Sequence, residues 1–309
     1  MSVGVEKPLV SIITSYYNGI RFLESFLESV QSQTIFSNLE LVMDVNEPSE
    51  SELEILQNFK IRNPNLLRLN IRKKVVPNSV SLNACIQRAR AEFICIWNVD
   101  DLRTENSIEA QYKMIYNDSS IAVVYGPFEI VNSFGLKNGV LADYRDIPNS
   151  QFMRTNLMGP FFMFRKDATK KIGFLDEQFQ SSADLDFGIR LMHTGVAKST
   201  TELLGYFLNE GQGISTRGNT VGRFETTAIQ LRYGIYGLMN PVYLHQALKF
   251  VIPMIKKGEE WIKVSSLIKN FDEVSSSEID RLKRLYVVDK KFPKLILKQF
   301  LFKILKPKV

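Results

Sequence analysis

The chain has 309 residues, of which 45% are hydrophobic and 23% are charged, a balance that is ordinary for a folded globular protein. This length suits one large domain with an appendage, or two modest domains. Two cysteines are too few for a disulfide framework. Both cysteines, Cys85 and Cys95, lie in apolar runs, so we expect them to be buried and reduced.

No stretch reaches the roughly 20 apolar residues of a membrane-spanning helix, and the first apolar run, at 9–13, is too short for an export signal. The net charge of +6 is unevenly placed, because seven lysines and no acidic residue follow Asp289. These lysines are Lys290, Lys291, Lys294, Lys298, Lys303, Lys306 and Lys308. The broad apolar surface of segment 293–306 predicts a helix that lies on the anionic inner face of the cell membrane, which implies a cytoplasmic, peripheral protein. The alternative is a helix that packs on the protein or on a second copy, as in a homodimer.

The first half of the chain alternates short apolar runs with segments whose apolar residues recur at helical spacing. The predicted strands cover residues 9–13, 39–45, 66–71, 93–97 and 121–125. The predicted helices begin near Leu23, at a capping box formed by Ser49 and Glu52, at Ser81 and at Glu105. Such alternation with short links predicts an α/β fold with a mostly parallel sheet covered by helices on both faces.

The second half is less regular. Residues 132–158 are rich in Gly, Asn, Asp and Pro, which is typical of a functional or disordered loop. A strand at 161–164, a helix near Leu185 and a strand at 203–208 follow, and the glycine-rich segment 211–222 is expected to be mobile. From Phe224 the pattern is helical to the end. We therefore predict a catalytic domain at 1–222 and a helical C-terminal extension with a basic tail at 223–309.

Polar residues follow three of the predicted strands, where open α/β sheets bind their ligands. They are Thr14, Ser15, Tyr16, Tyr17 and Asn18 after the first strand, Asp44, Asn46 and Glu47 after the second, and Asn98, Asp100 and Asp101 after the fourth. Aromatic rings and paired acids suit a nucleotide diphosphate with Mn²⁺ or Mg²⁺, because such cations complete their shells with phosphate oxygens and water. No glycine-rich phosphate loop follows the first strand, which argues against a dehydrogenase or an ATPase, and no nucleic-acid partner is expected.

Five sequence motifs, in order over about residues 8–218, resemble those of family 2 glycosyltransferases of the GT-A fold. They are V-S-I-I-T-S-Y-Y-N at 10–18 with S-V-Q-S-Q-T at 29–34, L-N-A at 82–84 with A-R-A-E-F at 89–93, I-W-N-V-D-D at 96–101, G-F-L-D-E-Q-F at 173–179, and A-D-L-D-F-G-I-R-L at 183–191. The third resembles the D-x-D metal motif, and the last resembles the signature E-D-x-D-x-x-x-R-L. One such motif would be weak, whereas five in sequence are specific.

The resemblance implies roles for individual residues. Asp100 would bind the cation on the donor diphosphate, and Asp184 would be the general base that deprotonates the acceptor hydroxyl. Asp44 lies near the position that contacts the nucleobase, with Tyr16 or Tyr17 stacked on or beside that base. The other implied donor-site residues are Thr14, Ser15, Asn46, Asn83 and Asn98, and those of the acceptor pocket and the mobile segment over the donor are Gly159, Pro160, Ser215 and Arg217.

The implied reaction is an inverting transfer from a nucleotide-diphosphate sugar to a saccharide or lipid-linked acceptor, as in assembly of bacterial surface polysaccharide. Three positions depart from the family's pattern. Asn98 replaces the first acid of the metal motif, Ala183 replaces the usual Glu beside the base, and residues 44–49 replace D-D-G-S with two possible registers. These departures leave open a catalytically weakened protein that binds nucleotide or glycan within a membrane-associated assembly complex.

Purely structural interpretations compete with several of these roles. Asp184 could simply favour a helix start, because carboxylates stabilise the first turn. Asp186 and Arg190 are spaced as an i, i+4 ion pair on a helix. One of the two tyrosines is expected to be a packing residue. The segment 209–217 could be an ordinary solvated loop.

Overall fold

The computed structural model describes residues 7–143, 145, 158–211, 220–234, 240–250, 254–257 and 260–267. Within these ranges the strands are β1 Val10–Tyr16, β2 Leu39–Asn46, β3 Leu67–Arg72, β4 Phe93–Ile96, β5 Leu102–Arg103, β6 Ile121–Tyr125, β7 Phe128–Val131, β8 Val140–Ala142, β9 Met163–Arg165, β10 Val196–Ser199, β11 Gly205–Leu208, β12 Met254–Lys257 and β13 Glu260–Lys263. The helices are α1 Ile20–Gln31, α2 Glu50–Arg62, α3 Asn78–Arg88, α4 Ser107–Asn117, α5 Ala168–Ile172, α6 Ala183–Leu191, α7 Thr220–Arg232, α8 Leu244–Ala247 and α9 Val264–Leu267.

Seven strands form the central sheet in the order β10-β6-β9-β4-β1-β2-β3. Neighbouring strands are parallel except at β9, which runs antiparallel to both β4 and β6. Because β1 to β4 run in one direction, their carboxyl ends meet at the same edge of the sheet. The predicted α/β fold with a mostly parallel, helix-covered sheet is confirmed.

Successive residues of the central strands point to opposite faces of the sheet and enter two separate apolar cores. In β1, Ile12 belongs to the core formed with α1, α2 and α4, whereas Ile13 belongs to the core formed with α3 and α6. The thiols of Cys85 and Cys95 are free and buried, one in each core, as the sequence predicts. Burial on both faces explains why β4 is apolar at every position.

The predicted capping box is present at the start of α2. The hydroxyl of Ser49 accepts from the Glu52 amide at 3.3 Å, and the Glu52 carboxylate accepts from the Ser49 amide at 2.8 Å. The same carboxylate accepts a 2.5 Å hydrogen bond from the hydroxyl of Tyr16, the last residue of β1. This contact joins the end of β1 to the first turn of α2.

Helix α7 begins at Thr220 and packs on α6, so the predicted boundary after residue 222 falls inside a helix that belongs to the first domain's packing. Farther on, β12 and β13 pair as an antiparallel hairpin. This hairpin corrects the prediction of continuous helix from Phe224, because residues 254–257 and 260–263 are extended. The basic tail at 293–306 lies outside the described residues. None of the helices in the described ranges is both long enough and apolar enough to cross a bilayer.

Candidate active site

The carboxyl end of β4 leads into a turn that holds the three polar residues of the predicted metal motif. Asp101 is buried, whereas Asn98 and Asp100 are partly exposed. The Asp101 carboxylate accepts from the Asn98 side-chain amide at 3.1 Å and from the backbone amide of Leu208, in β11, at 3.1 Å. Asp101 therefore fixes the turn to β11, and the acid that faces outward is Asp100.

Asp100 lies among negative charges. Burial raises the pKa of its carboxyl group, and the charge of Glu210 raises it further. Glu210 itself forms a 2.5 Å ion pair with Arg21 near the start of α1. Burial also raises the pKa of Asp101 well above its usual value, with the charge of Asp100 as the next cause.

The departure at Asn98 has a local physical reason. Its side-chain nitrogen donates to the buried Asp101 carboxylate, a bond that an ionised aspartate at position 98 could not make. A second carboxylate there would instead repel Asp101 in a buried setting, where like charges are costly. The amide keeps one side-chain oxygen at this position.

The carboxyl end of β2 holds a buried polar network around Asp44. Its carboxylate accepts from Arg72 at 2.5 Å and from Ser81 at 2.6 Å, and also from the amide of Asn70. Asp44 is 0% exposed, whereas the side chain of Arg72 is 27% exposed. The network reaches solvent through Arg72 and the partly exposed Asn70, and sequence reasoning missed Arg72 although it ends a strand.

Three more of the predicted donor-site residues are internal. Tyr16 is buried in the core and bonded to Glu52, so its ring does not stack on a ligand, whereas Tyr17 is 55% exposed. Thr14 donates to the Trp97 carbonyl at 2.9 Å. Asn46 donates to the carbonyl of Tyr16 at 3.3 Å and to the hydroxyl of Ser81 at 3.1 Å. These residues hold the strand ends in register. Ser15 remains partly exposed at the same edge.

Their burial follows from strand length. Strand β1 continues through Tyr16 and β2 through Asn46, so Thr14 and Asp44 lie inside strands rather than after them.

The backbone of the segment after β2 bears on how residues 44–49 align with the family's D-D-G-S. Glu47 has φ 47°, the left-handed conformation that favours glycine. This conformation would suit a glycine at position 47, which differs from the register on Pro48 and Ser49 that places an acid there.

Asn83 on α3 acts as a clamp for the motif at 173–179. Its side-chain oxygen accepts from the Leu175 amide at 2.9 Å, and its nitrogen donates to the Leu175 carbonyl at 2.9 Å. The nitrogen also lies 3.1 Å from the Glu177 carboxylate. Asn83 is buried and fully used in these contacts, so it positions the chain that leads towards α6 rather than facing a ligand.

Asp184 and Asp186 lie two residues apart in α6 but in different surroundings. Asp184, in the first turn, is partly exposed, and its carboxylate accepts from the Leu185 amide at 2.9 Å. Asp186 is buried and pairs with Arg190 at 2.6 Å, which confirms the structural ion pair that the spacing predicts. Although burial opposes it, the charges of Arg190 and Arg232 lower the pKa of Asp186. Of the two acids, only Asp184 is partly exposed.

The segment before β9 adjoins α6. Gly159 has φ 65°, and a Cβ there would lie 2.5 Å from the ring of Phe128. A Cβ at Gly188 of α6 would lie 2.3 Å from the Met158 methyl group. Because Met158 packs closely on Gly188, the partly exposed Gly159 and Pro160 that follow it lie near the helix that carries Asp184. Ser215 and Arg217 lie outside the described residues.

Within the described ranges, no three His, Cys, Asp or Glu side chains form a ready-made metal cluster.

Two buried residues of α7, Glu225 and Arg232, contact the region of Asp184, and sequence reasoning missed both. They lie outside every motif, and the partners of Glu225 are 43 to 45 residues earlier in the chain. No local pattern could have indicated such contacts.

The mostly parallel sheet, with one antiparallel strand and an acidic turn at its carboxyl edge, has the architecture of the GT-A fold. Residues 11–173 match the family described as Glycosyl transferase family 2. This match spans more than half of the chain, so the protein belongs to glycosyltransferase family 2.

Two curated relatives illustrate the family. An uncharacterized glycosyltransferase of Methanocaldococcus jannaschii is 24% identical over 191 residues, which cover 60% of this chain and 65% of the relative. The UDP-Glc:alpha-D-GlcNAc-diphosphoundecaprenol beta-1,3-glucosyltransferase WfgD of Escherichia coli is 28% identical over 126 residues, covering 40% of this chain and 47% of WfgD. The chain thus spans less than two thirds of either relative.

Two solved structures share the fold. TarS 1–349 of S. aureus, in complex with UDP-GlcNAc, has a TM-score of 0.60 at 15% identity, covering 92% of this chain and 91% of TarS. The mannosyltransferase PcManGT of Pyrobaculum calidifontis, in complex with GDP-Man and Mn²⁺, has a TM-score of 0.53 at 13% identity, covering 96% of this chain and 79% of PcManGT.

The raised pKa values of Asp100 and Asp101 predict a pH effect on stability. Both acids hold protons more tightly in the folded than in the unfolded state, so their contribution to the free energy of unfolding falls as pH rises above about 4. Asp101→Asn keeps an oxygen for the Leu208 amide and removes one of the acids. Relative to wild type, this variant should gain stability as pH rises above about 4, measured by urea unfolding.

Asp118→Asn is the matched control. Hydrogen bonds from Ser120 lower the pKa of exposed Asp118, so its loss should act with the opposite sign and cost relative stability as pH rises. If the stability of D101N relative to wild type does not change with pH, or decreases as pH rises, that result would contradict the raised pKa.

Proposed function

We propose that the protein transfers a sugar, with inversion, from a nucleotide-diphosphate donor to a hydroxyl of a saccharide or lipid-linked acceptor. The observation that carries this proposal is the contrast within α6: Asp186 is buried in ion pairs, whereas Asp184 is partly exposed at the first turn. An exposed carboxylate on an anchored helix suits a general base. TarS and PcManGT, which share the fold, bind UDP-GlcNAc and GDP-Man, which supports a nucleotide-sugar donor.

In this mechanism the donor already carries a good leaving group. Two tasks remain, namely removal of the proton from the acceptor hydroxyl and neutralisation of charge on the departing diphosphate. Asp184 would accept the proton of the acceptor hydroxyl as that oxygen attacks the anomeric carbon, a role worth typically ~10²–10⁴-fold in rate. A single base opposite the leaving group gives one displacement and hence inversion, as in inverting hydrolases. Holding acceptor and donor together at the carboxyl edge lowers the barrier further. Exposed Tyr17 and Arg72 at that edge are suited to contact the nucleotide.

The residues after β4 fit a divalent cation. Asp100 and Asn98 offer hard oxygen ligands, and the raised pKa of Asp100 reflects a carboxylate that lies beside Glu210 in partly buried surroundings. Asp100 would hold Mn²⁺ or Mg²⁺, whose chemistry when bound is to neutralise charge on the departing diphosphate. PcManGT holds Mn²⁺, which supports this assignment. The E. coli relative acts on a diphosphoundecaprenol-linked sugar, which supports a lipid-linked acceptor and a role in polysaccharide assembly.

Asp184→Asn should reduce the release of free nucleoside diphosphate by at least about 100-fold while donor binding persists, because the amide keeps the shape but cannot take a proton. The measurement is nucleotide release from a panel of nucleotide sugars with Mn²⁺, alongside calorimetric donor binding. The control is Asp167→Asn, which alters an exposed acid paired with Lys170. Wild-type release by D184N would exclude this base. A wild type that binds donor but releases nothing with any acceptor would favour a binding protein.

Asp100→Asn should remove the cation-dependent part of nucleotide binding. We expect UDP, GDP, dTDP or CMP to raise the melting temperature of the wild type more with Mn²⁺ than without it, since ligands that bind only the folded state stabilise it. In D100N the two shifts should be equal, because Asp100 is the acid that faces outward. Asp167→Asn again serves as the control. An unchanged Mn²⁺ effect in D100N would place the cation elsewhere.

We also propose that the basic tail holds the protein on the inner face of the cell membrane, on the strength of its seven lysines and missing acids. Each lysine contributes about 1 kcal/mol near an anionic surface. Truncation after Asp289 should move the protein from anionic liposomes to the supernatant in a sedimentation assay, and neutral liposomes are the control. Equal sedimentation of the truncated chain would contradict this role and favour a tail that packs on protein.

A further inference from the structure

Helix α7 contacts the backbone immediately before the helix that carries Asp184. The carboxylate of Glu225, which is 1% exposed, accepts hydrogen bonds from three successive backbone amides. The distances are 2.8 Å to Gln180, 2.8 Å to Ser181 and 3.0 Å to Ser182. Bonds from several amides to one buried carboxylate are strong, because the acceptor is ionised and water is excluded.

The three hydrogen bonds from residues 180–182 to Glu225 form a clamp, the Glu225 clamp, that takes the place of an ordinary helix cap. Ser182 is the N-cap residue of α6, yet its side chain makes no capping bond to that helix. Its hydroxyl instead donates to the Gly222 carbonyl at 3.2 Å and lies 3.3 Å from the Thr226 hydroxyl. A Cβ at Gly222 would lie 2.9 Å from the Ser181 hydroxyl, so the two backbones approach closely. The start of α6 is thus set by α7.

A second anchor grips α6 on the other side of Asp184. Arg232, at the end of α7, pairs with Asp186 at 2.8 Å and with Asp176 at 2.9 Å, and all three side chains are buried. The hydroxyl of Tyr233 donates to Asp186 at 2.7 Å. Removing one partner from such a buried cluster leaves uncompensated charge, so its geometry is held firmly.

We propose that Glu225 and Arg232 are positioning residues for the transfer reaction, because together they fix the orientation of Asp184 from both sides. This inference rests on the proposed role of Asp184 as the base. Glu225 touches neither donor nor acceptor; it acts through residues 180–182. A displacement of about 1 Å of a catalytic group costs on the order of 100-fold in rate, so loosening this clamp lowers turnover without changing the donor site.

The test is Glu225→Gln, which keeps the side chain's size but offers one oxygen to three amides. We expect kcat to fall by at least about tenfold while the KM for donor stays within about twofold, since only the transition-state contact is affected. The matched control is Glu109→Gln, whose carboxylate pairs with Lys113 and Thr34 on the surface of α4. This control should retain wild-type kcat and KM.

A double variant separates positioning from a general loss of structure. In the Asp184→Asn background, E225Q should cause no further loss of the residual rate, because residues that act as a unit are not additive. A full tenfold loss in that background would overturn the proposal, as would wild-type kcat in E225Q. If E225Q does not fold, Glu225→Asp is compared instead, since the shorter carboxylate cannot span the three amides, and wild-type kcat and KM in that variant would overturn the proposal.

The two hypotheses fail in different ways. If D184N retains wild-type release, the assignment of the base is wrong and the role of Glu225 falls with it. If D184N is inactive while E225Q matches the wild type, the base stands and only the positioning role is excluded.

Discussion

Burial of the central sheet on both faces is the constraint on which the rest of the molecule depends. Because helices cover each face, the central strands are largely apolar, and the polar side chains of the candidate site lie at the carboxyl edge, where four parallel strands end together. Polar groups that remain inside this edge must be paired. Asp44, Asn46 and Thr14 satisfy that demand with one another and with neighbouring strands. The edge is therefore rigid before any ligand arrives.

Periodicity and motif spacing predicted the strands and helices well, because a strand that is buried on both faces of the sheet is a run of consecutive apolar residues. They located the acidic turn after β4, the capping box at Ser49 and the pair of Asp186 and Arg190, which are all local patterns. They did not separate Tyr17 from Tyr16, and the choice of Asp100 over Asp101 came from the resemblance to the family's motif rather than from periodicity. Which member of an adjacent pair faces outward depends on partners such as Leu208 and Glu52, which are distant in sequence.

The acids of this region divide by their environment. Asp44, Asp101, Asp176 and Asp186 are buried, and each is held by an arginine, an amide or both. Asp100 and Asp184 remain partly exposed. Helix α7 lies beyond the matched family region, yet its side chains Arg232 and Glu225 hold α6 in place. The folding unit thus extends past the segment that carries the family's motifs.

The bond from Asn98 to Asp101 changes how the metal motif should be interpreted. Relative to the family's motif the segment has lost an acid at position 98, but the amide there donates a hydrogen bond to the buried carboxyl group of Asp101. The two side chains are therefore coupled, because an ionised carboxylate at position 98 could not donate to Asp101, and a substitution at either position changes the environment of the other. The turn after β4 is accordingly a single hydrogen-bonded unit rather than a set of independent ligand positions.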